Sequence, residues 1–379
     1  MGQKRKMKNY LIISTYPEQG SQNIGDALIT DATIQAIKDV KGEENSQFSI
    51  LWREEDGTKA KKQIDKADAI IFACFAIRKN LASKYSFIQE VIESNKPFAI
   101  LAAGTDLPVS KGAKYLYSGY SNEDIKLLKE VNRKCLFFTT RGILTQNFCE
   151  ELKIDNAKFA GDIAFYNPEF NKRLFHHKNE VKKIAISDPH KYSQFEGMLE
   201  ELIVLLQKRY PNSEIDILQH GKNKVLSQLA LKYKINVNEI YKNKEWGLNT
   251  YDEYDLHVGF RVHGHVSALK RRIPSYLLEQ DGRGADYGLT IQENVSFPAY
   301  AFQRQKLNMN VKKVFKNIAK KILGKYISNY EIFYDKAPAH FITTMIDEDK
   351  SNNFEKFIGL ESSVRKYSQQ NLDEIKKLP

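Results

Sequence analysis

The sequence predicts an α/β protein made of two successive doubly wound domains that meet at a cleft. Three observations carry this. Short apolar runs recur along the chain, they are continuous rather than alternating, and helix-period segments lie between them. Continuous apolar runs mark strands buried on both faces of a parallel sheet with helices on either side. A first series of such strands is expected over residues 10–15, 48–52, 69–74, 98–103 and 135–140, with helical periodicity over 26–40 and 125–132. The pattern breaks at NPEFNKRLFHHKNE, residues 167–180, which is polar and carries a proline. A second series follows over 183–187, 214–219, 256–261 and 275–279, with a helix expected over 196–209. At 379 residues the chain exceeds one ordinary core, so two domains are expected. The layout is residues 1–170, 171–305 and a helical C-terminal extension over 306–379, the part beyond about residue 350 being polar and expected to pack loosely. Between two such sheets a ligand cleft is the default.

The formal net charge of +11 points to an anionic partner: nucleic acid, an acidic membrane surface, or a phosphorylated or acidic substrate. Charge alone does not choose among them. Cys74, Cys135 and Cys149 show neither metal spacing nor an even disulfide framework, and read as reduced thiols in a cytoplasmic protein. The apolar run near the start, YLIIS, is too short for a signal segment and reads as a first strand. No stretch approaches the length of a membrane helix. Residues 311–327, VKKVFKNIAKKILGKYI, place apolar side chains on one helical face and lysines on the rest. That pattern suits a helix docked on its own domain with a solvated lysine face, the commoner object, ahead of one at the inner face of an anionic membrane.

GFRVHGHVSALKRRIPSYL, residues 259–277, is the densest concentration of potential chemistry. Alternation over 256–261 predicts a strand, Gly264 permits a turn, and a helix follows. Arg261 and His263 are thereby expected at the carboxyl end of a strand beside a helix amino terminus, where an anion is favoured. Arg261 suits two-pronged binding of a carboxylate or phosphate. His263 suits proton transfer near neutral pH. The competing reading has His263 satisfying a buried carbonyl and Arg261 paired with an acid. A zinc site from His257, His263 and His265 matches no metal spacing, and the flanking arginines would repel a cation. Lys270, Arg271 and Arg272 are expected as surface charge further along the helix.

Other candidates lie at strand ends. In SQNIGDALIT, Asn23 and Asp26 suit helix capping, and Asp26 alternatively contacts substrate hydroxyls or acts as a base. YLLEQDGRGADYG places Arg283 between glycines, flanked by Asp281 and Asp286; a plain turn explains it as well. Arg141 ends the run CLFFTT, and Asp162 follows Gly161 in FAGDIAF.

Together and in this order, N-I-G-D at Asn23–Asp26, T-R-G at Arg141, G-D-I-A-F at Asp162, and F-R-V-H-G-H followed by I-P-S-Y-L-L-E-Q-D resemble the polysaccharide pyruvyl transferase family over roughly residues 10–300. The resemblance implies two Rossmann-like domains in a GT-B-like fold, with phosphoenolpyruvate as co-substrate and no further cofactor or metal. It implies transfer of the pyruvyl unit, as a ketal, to a sugar of a cell-surface polysaccharide or its lipid-linked precursor, with no nucleic acid involved. The family's arginine and histidine correspond to Arg261 and His263, so His263 and Asp26 are the expected catalytic pair. Arg261, His265, Arg283, His190 and Lys191 are expected on the donor side, and Asn23, Arg141 and Asp162 on the acceptor side. The sequence departs from the family where Asp188-Pro189-His190-Lys191 replaces the usual Ser-x-Arg, where Gly142 replaces an acid, and where D-G-R-G replaces D-P-K. An alternative on the same scaffold is a glycosyltransferase whose nucleotide sugar places its diphosphate on Arg261 and its ribose on Asp281 or Asp286; a third is a glycan- or lipid-binding assembly protein without catalysis.

Overall fold

The computed structural model describes residues 7–15, 24–111, 116, 118–175, 180–243, 247–304 and 325–379, without the side chains of 110 and 325–334. Asn23 and the lysine-rich stretch 311–324 lie outside the described residues.

The first sheet contains β1 (Lys8–Ser14), β2 (Ser46–Trp52), β3 (Ala69–Phe72), β4 (Ala76–Ile77), β5 (Phe98–Thr105), β6 (Phe138–Thr140) and β7 (Ala157–Phe159). Its order is β2-β1-β3-β5-β6-β7, with β4 paired to β5, and the pairings are parallel. Helices α1 (Ile24–Lys41), α2 (Gly57–Lys66), α3 (Leu81–Lys84), α4 (Ile88–Glu93), α5 (Asn122–Lys134) and α6 (Ile143–Glu151) connect these strands. The period-2 alternation of β1 divides the core. Tyr10 and Ile12 pack with α1 residues such as Leu28, while Leu11 and Ile13 pack with Ile64, Val91 and Leu128. The helices are capped from sequence: Asp56 accepts from Thr58 N (3.0 Å) to start α2, and Ser121 with Asp124 forms a capping box on α5.

The second sheet contains β8 (Lys183–Ser187), β9 (Glu214–Leu218), β10 (Asn236–Asn238), β11 (Leu256–Gly259), β12 (Ser275–Leu278) and β13 (Ser296–Phe297), in the order β10-β9-β8-β11-β12-β13. That is the doubly wound Rossmann order, and the crevice falls where the winding reverses, between β8 and β11. Helices α7 (Tyr192–Arg209), α8 (Val225–Tyr233), α9 (Val262–Lys270) and α10 (Gly282–Thr290) cover it. Two C-terminal helices follow, α11 (Lys325–Ser351) and α12 (Lys356–Ile375). No helix among the described residues is long and apolar enough to cross a membrane.

Three expectations need correction, and four strands carry no sequence signal. The strand expected to reach Arg261 ends at Gly259, and Arg261 is instead the extended N-cap of α9, so His263 and Gly264 lie inside the helix. Strands β4, β7, β10 and β13 are two or three residues long, too brief for a periodic signal. Lys270, Arg271 and Arg272 are not surface charge; each is 5% exposed. Arg271 reaches Asp252 and Asn249, and Arg272 donates to the carbonyls of Arg173 and Lys270. The polar tail is docked rather than loose. Helix α12 buries Phe357, Leu360, Val364 and Ile375, and Asn371 Nδ2 donates to the carbonyls of Ala160 (3.1 Å) and Gly161 (3.2 Å). The last residue accepts from the Tyr10 hydroxyl at 2.7 Å, so the chain ends against the first domain.

Candidate active site

A cavity of ≈ 420 Å³ opens between the carboxyl ends of the two sheets. The first domain contributes Asp26, Trp52, Arg78, Asp106 and Arg141, and the second contributes His190, Arg261, His263 and Arg283. Five arginines in all line it, counting Arg53. Such a wall draws in anions.

His263 sits in the first turn of α9 with its ring packed against the start of α1. Gly25 makes this possible. A Cβ there would come within 2.8 Å of the His263 Cβ and closer still to its ring. The His263 Nε2 is buried and has no hydrogen-bond partner among the described residues, which leaves it able to meet a ligand in the cleft. Burial pushes the imidazole below its usual range; Asp162 and Asp26 oppose this, and Arg141 and Arg283 reinforce it. On its own the ring is therefore neutral at pH 7. A bound anion would raise its proton affinity.

The arginines divide into two kinds. Arg261 is 9% exposed and makes its two-pronged contact with Asp188, Nη2 to Oδ2 at 2.7 Å and Nε to Oδ1 at 3.1 Å. The fork expected to grip a ligand thus grips a fully buried acid at the end of β8, and Nη1, 3.5 Å from His190 Nδ1, is the part turned elsewhere. Arg283 is likewise held by Asp281, Nη2 to Oδ2 at 2.5 Å, while Asp281 caps α10. Arg141 and Arg78 differ. Among the described residues neither has an ion pair, and the Nε of each is buried without a partner. Arg141 lies flat on β5 because residue 104 is glycine; a Cβ would come within 2.7 Å of Arg141 Nη2. These two keep the most unengaged donors among the cleft's cations, while Arg261 and Arg283 keep only the edges that Asp188 and Asp281 do not hold.

The structure brings together Asp26, His190, Arg261, His263, Arg283 and Arg141. It does not bring His265, Lys191 or Asp162 to the cavity wall. His265 is 1% exposed and its Nδ1 meets Ser275 Oγ at 2.7 Å, in a buried chain that continues through His257 to Ser187 and the Arg261 backbone. Because α9 is helical from Val262, residues 263 and 265 cannot share one face. Lys191 is exposed at the N-cap of α7. Asp162 is buried behind the wall, accepting from Ala164 N and the Tyr287 hydroxyl. Asp286 caps α6 from the other domain through Leu144 N at 2.7 Å. Sequence reasoning passed over Asp188, Arg78 and Trp52. Their only signal was position, each just beyond or ending an apolar strand. Ser275→Ala should lower stability by about 1–3 kcal/mol, since two buried imidazoles lose their shared partner; urea unfolding measures it, and no change would mean that the chain of hydrogen bonds is not structural. Among the described residues no group of three or more His, Cys, Asp or Glu is placed to hold a metal ion.

Two doubly wound domains with a cleft between their carboxyl edges, and a C-terminal helix returning to the first, define the GT-B fold. Comparison with solved structures agrees. An E. coli structure described as trehalose-6-phosphate bound with UDP-2-fluoro glucose aligns with a TM-score of 0.52 at 9% identity, covering 97% of this chain and 99% of that one. S. aureus MnaA with UDP (0.47, 11% identity, 87% and 91% covered) and UDP-GlcNAc 2-epimerase from Neisseria meningitidis (0.46, 11%, 90% and 100%) are also similar. No curated protein sequence matches the chain. The family model for polysaccharide pyruvyl transferase matches residues 23–282, and the chain belongs to that family.

Proposed function

We propose that the protein transfers the pyruvyl group of phosphoenolpyruvate to two hydroxyls of a sugar, forming a ketal and releasing phosphate. The observation that carries this is the buried Nε2 of His263, unpartnered among the described residues, in an arginine-lined cleft shared with Asp26. The chemistry needs one proton delivered to the methylene carbon of the donor, addition of both hydroxyls to the resulting cationic carbon, and loss of phosphate. His263 supplies the proton. Burial keeps the ring neutral on its own, so the anionic donor itself brings it to the charged, acidic form. The outward edges of Arg261 and Arg283, with His190, hold the donor's carboxylate and phosphate; their pairing with Asp188 and Asp281 keeps both guanidiniums in place before the donor arrives. Asp26, from the other domain, takes the proton of one hydroxyl, which leaves with the phosphate, and the proton of the other returns to His263 in place of the one given to the methylene carbon. Proton transfer and addition complete the reaction without redox chemistry or a further cofactor.

Arg141 and Arg78 face the acceptor side and suit an anionic acceptor, as a diphosphate-bearing, lipid-linked sugar would be, with Trp52 offering a flat face to the sugar ring. The nucleotide-sugar alternative loses its expected ribose ligands, because Asp281 is spent on Arg283 and Asp286 on α6.

Calorimetric titration tests the reading. Phosphoenolpyruvate should bind with uptake of a proton. Its affinity should fall as pH rises, because the bound state holds a proton on His263 that the free state lacks. His263→Gln should bind without proton uptake. Binding of a UDP-sugar together with no binding of phosphoenolpyruvate would overturn the assignment.

A further inference from the structure

A second cavity, of ≈ 320 Å³, lies on the same seam between the domains but shares no lining residue with the cleft. Its walls come from α1, from the connection around Phe170, and from the C-terminal end of α9. Lys270 lies seven residues from His263 on that helix, two turns or about 10 Å along its axis. We infer that this cavity binds a small organic oxyanion, a carboxylate or a phosphate monoester, with Lys270 as its cation.

The arrangement of charge leads there. Arg271 is committed to Asp252 (3.1 Å) and to Asn249 Oδ1 (2.9 Å). Arg173 takes the other oxygen of Asp252 at 2.9 Å and also reaches Glu169. That engages Asp252 and Glu169. Lys270 is 5% exposed and lines the cavity, and its ammonium has neither a hydrogen bond nor an ion pair among the described residues; the Phe170 ring centroid is 5.9 Å from Nζ. Asp31, exposed at the rim, attracts it without pairing. A buried ammonium without a counter-ion is costly, and here burial pushes the amine down to about 7. An oxyanion would supply the missing partner and hold the charge. Asn249, whose Oδ1 is taken by Arg271, keeps its amide N–H groups as further donors. Leu28, Ala32 and Phe170 form an apolar side, which suits an organic acid over a bare ion.

Titrations of the full-length protein with inorganic phosphate and with propionate, followed by thermal shift, test this and separate the two sources. Saturable stabilisation by either probe is expected, the one that binds naming the head group. Lys270→Met, which keeps the shape of the stem, should weaken that component about tenfold or more. Any affinity of the cleft for phosphate is the part that survives this substitution. Should Lys270→Met fail to fold, Asp31→Asn serves, since removing a rim acid should tighten binding by a few-fold. No saturable binding of either probe, equal binding by wild type and Lys270→Met, or no tightening in Asp31→Asn overturns the site. The result is independent of turnover in the cleft.

Discussion

Gly25→Ala should abolish turnover while leaving the protein folded. Alanine is the best helix former, and position 25 is the second residue of α1. The obstacle is the His263 ring, which occupies the space a Cβ needs. Either the ring swings away from the cleft or α1 moves off α9, and in both cases the acid loses its position. General acid–base catalysis contributes typically about 10²–10⁴-fold, and this is the expected loss in kcat. His263→Ala should cost as much. The double variant should cost little more, because the two changes remove one function. Steady-state kinetics with melting curves decide it. Activity within a factor of about two of wild type in Gly25→Ala would remove His263 from the proton-transfer step.

Arg141→Met should lower kcat/KM for the acceptor by about 10–100-fold, the value of one or two charge-assisted hydrogen bonds. Donor affinity, read by calorimetry, should change little, because Arg261 and Arg283 remain. Arg141→Lys should not restore activity. Residue 104 is a glycine against which a flat guanidinium lies, and a lysine offers a point charge without the fork. Loss of donor binding in Arg141→Met would instead move Arg141 to the donor side.

The sheets were legible because buried parallel strands must be continuously apolar, and runs such as KIAIS and AIIF cannot be hidden. The cleft was legible for a related reason. In a doubly wound fold the carboxyl strand ends are the site, so Asp26, Arg141, Arg261, His263 and Arg283 could be named from their positions. The exceptions are instructive. His263 and His265 look equivalent in R-V-H-G-H, but helical geometry beginning at Val262 sends one to the cleft and the other to Ser275. Arg261 looks like a ligand fork until Asp188, seventy-three positions earlier in sequence, is found holding it. The cluster Lys270-Arg271-Arg272 reads as solvated charge because nothing local announces that α1 and Phe170 close over the end of α9.

By itself, then, the sequence determined the alternation of elements, the two parallel sheets and the family, because those rest on periodicity and on motifs spanning a few residues. The tertiary structure decided how charge is distributed. It paired three of the five cleft arginines, Arg53 with Glu54, Arg261 with Asp188 and Arg283 with Asp281; among the described residues it left Arg78 and Arg141 free of ion pairs and buried Lys270 without a paired counter-ion. The reason is physical. An apolar run has one favourable fate, burial, which the chain states locally, whereas the worth of a charge depends on which opposite charge the fold brings within a few ångströms of it, and that partner lies elsewhere in the sequence.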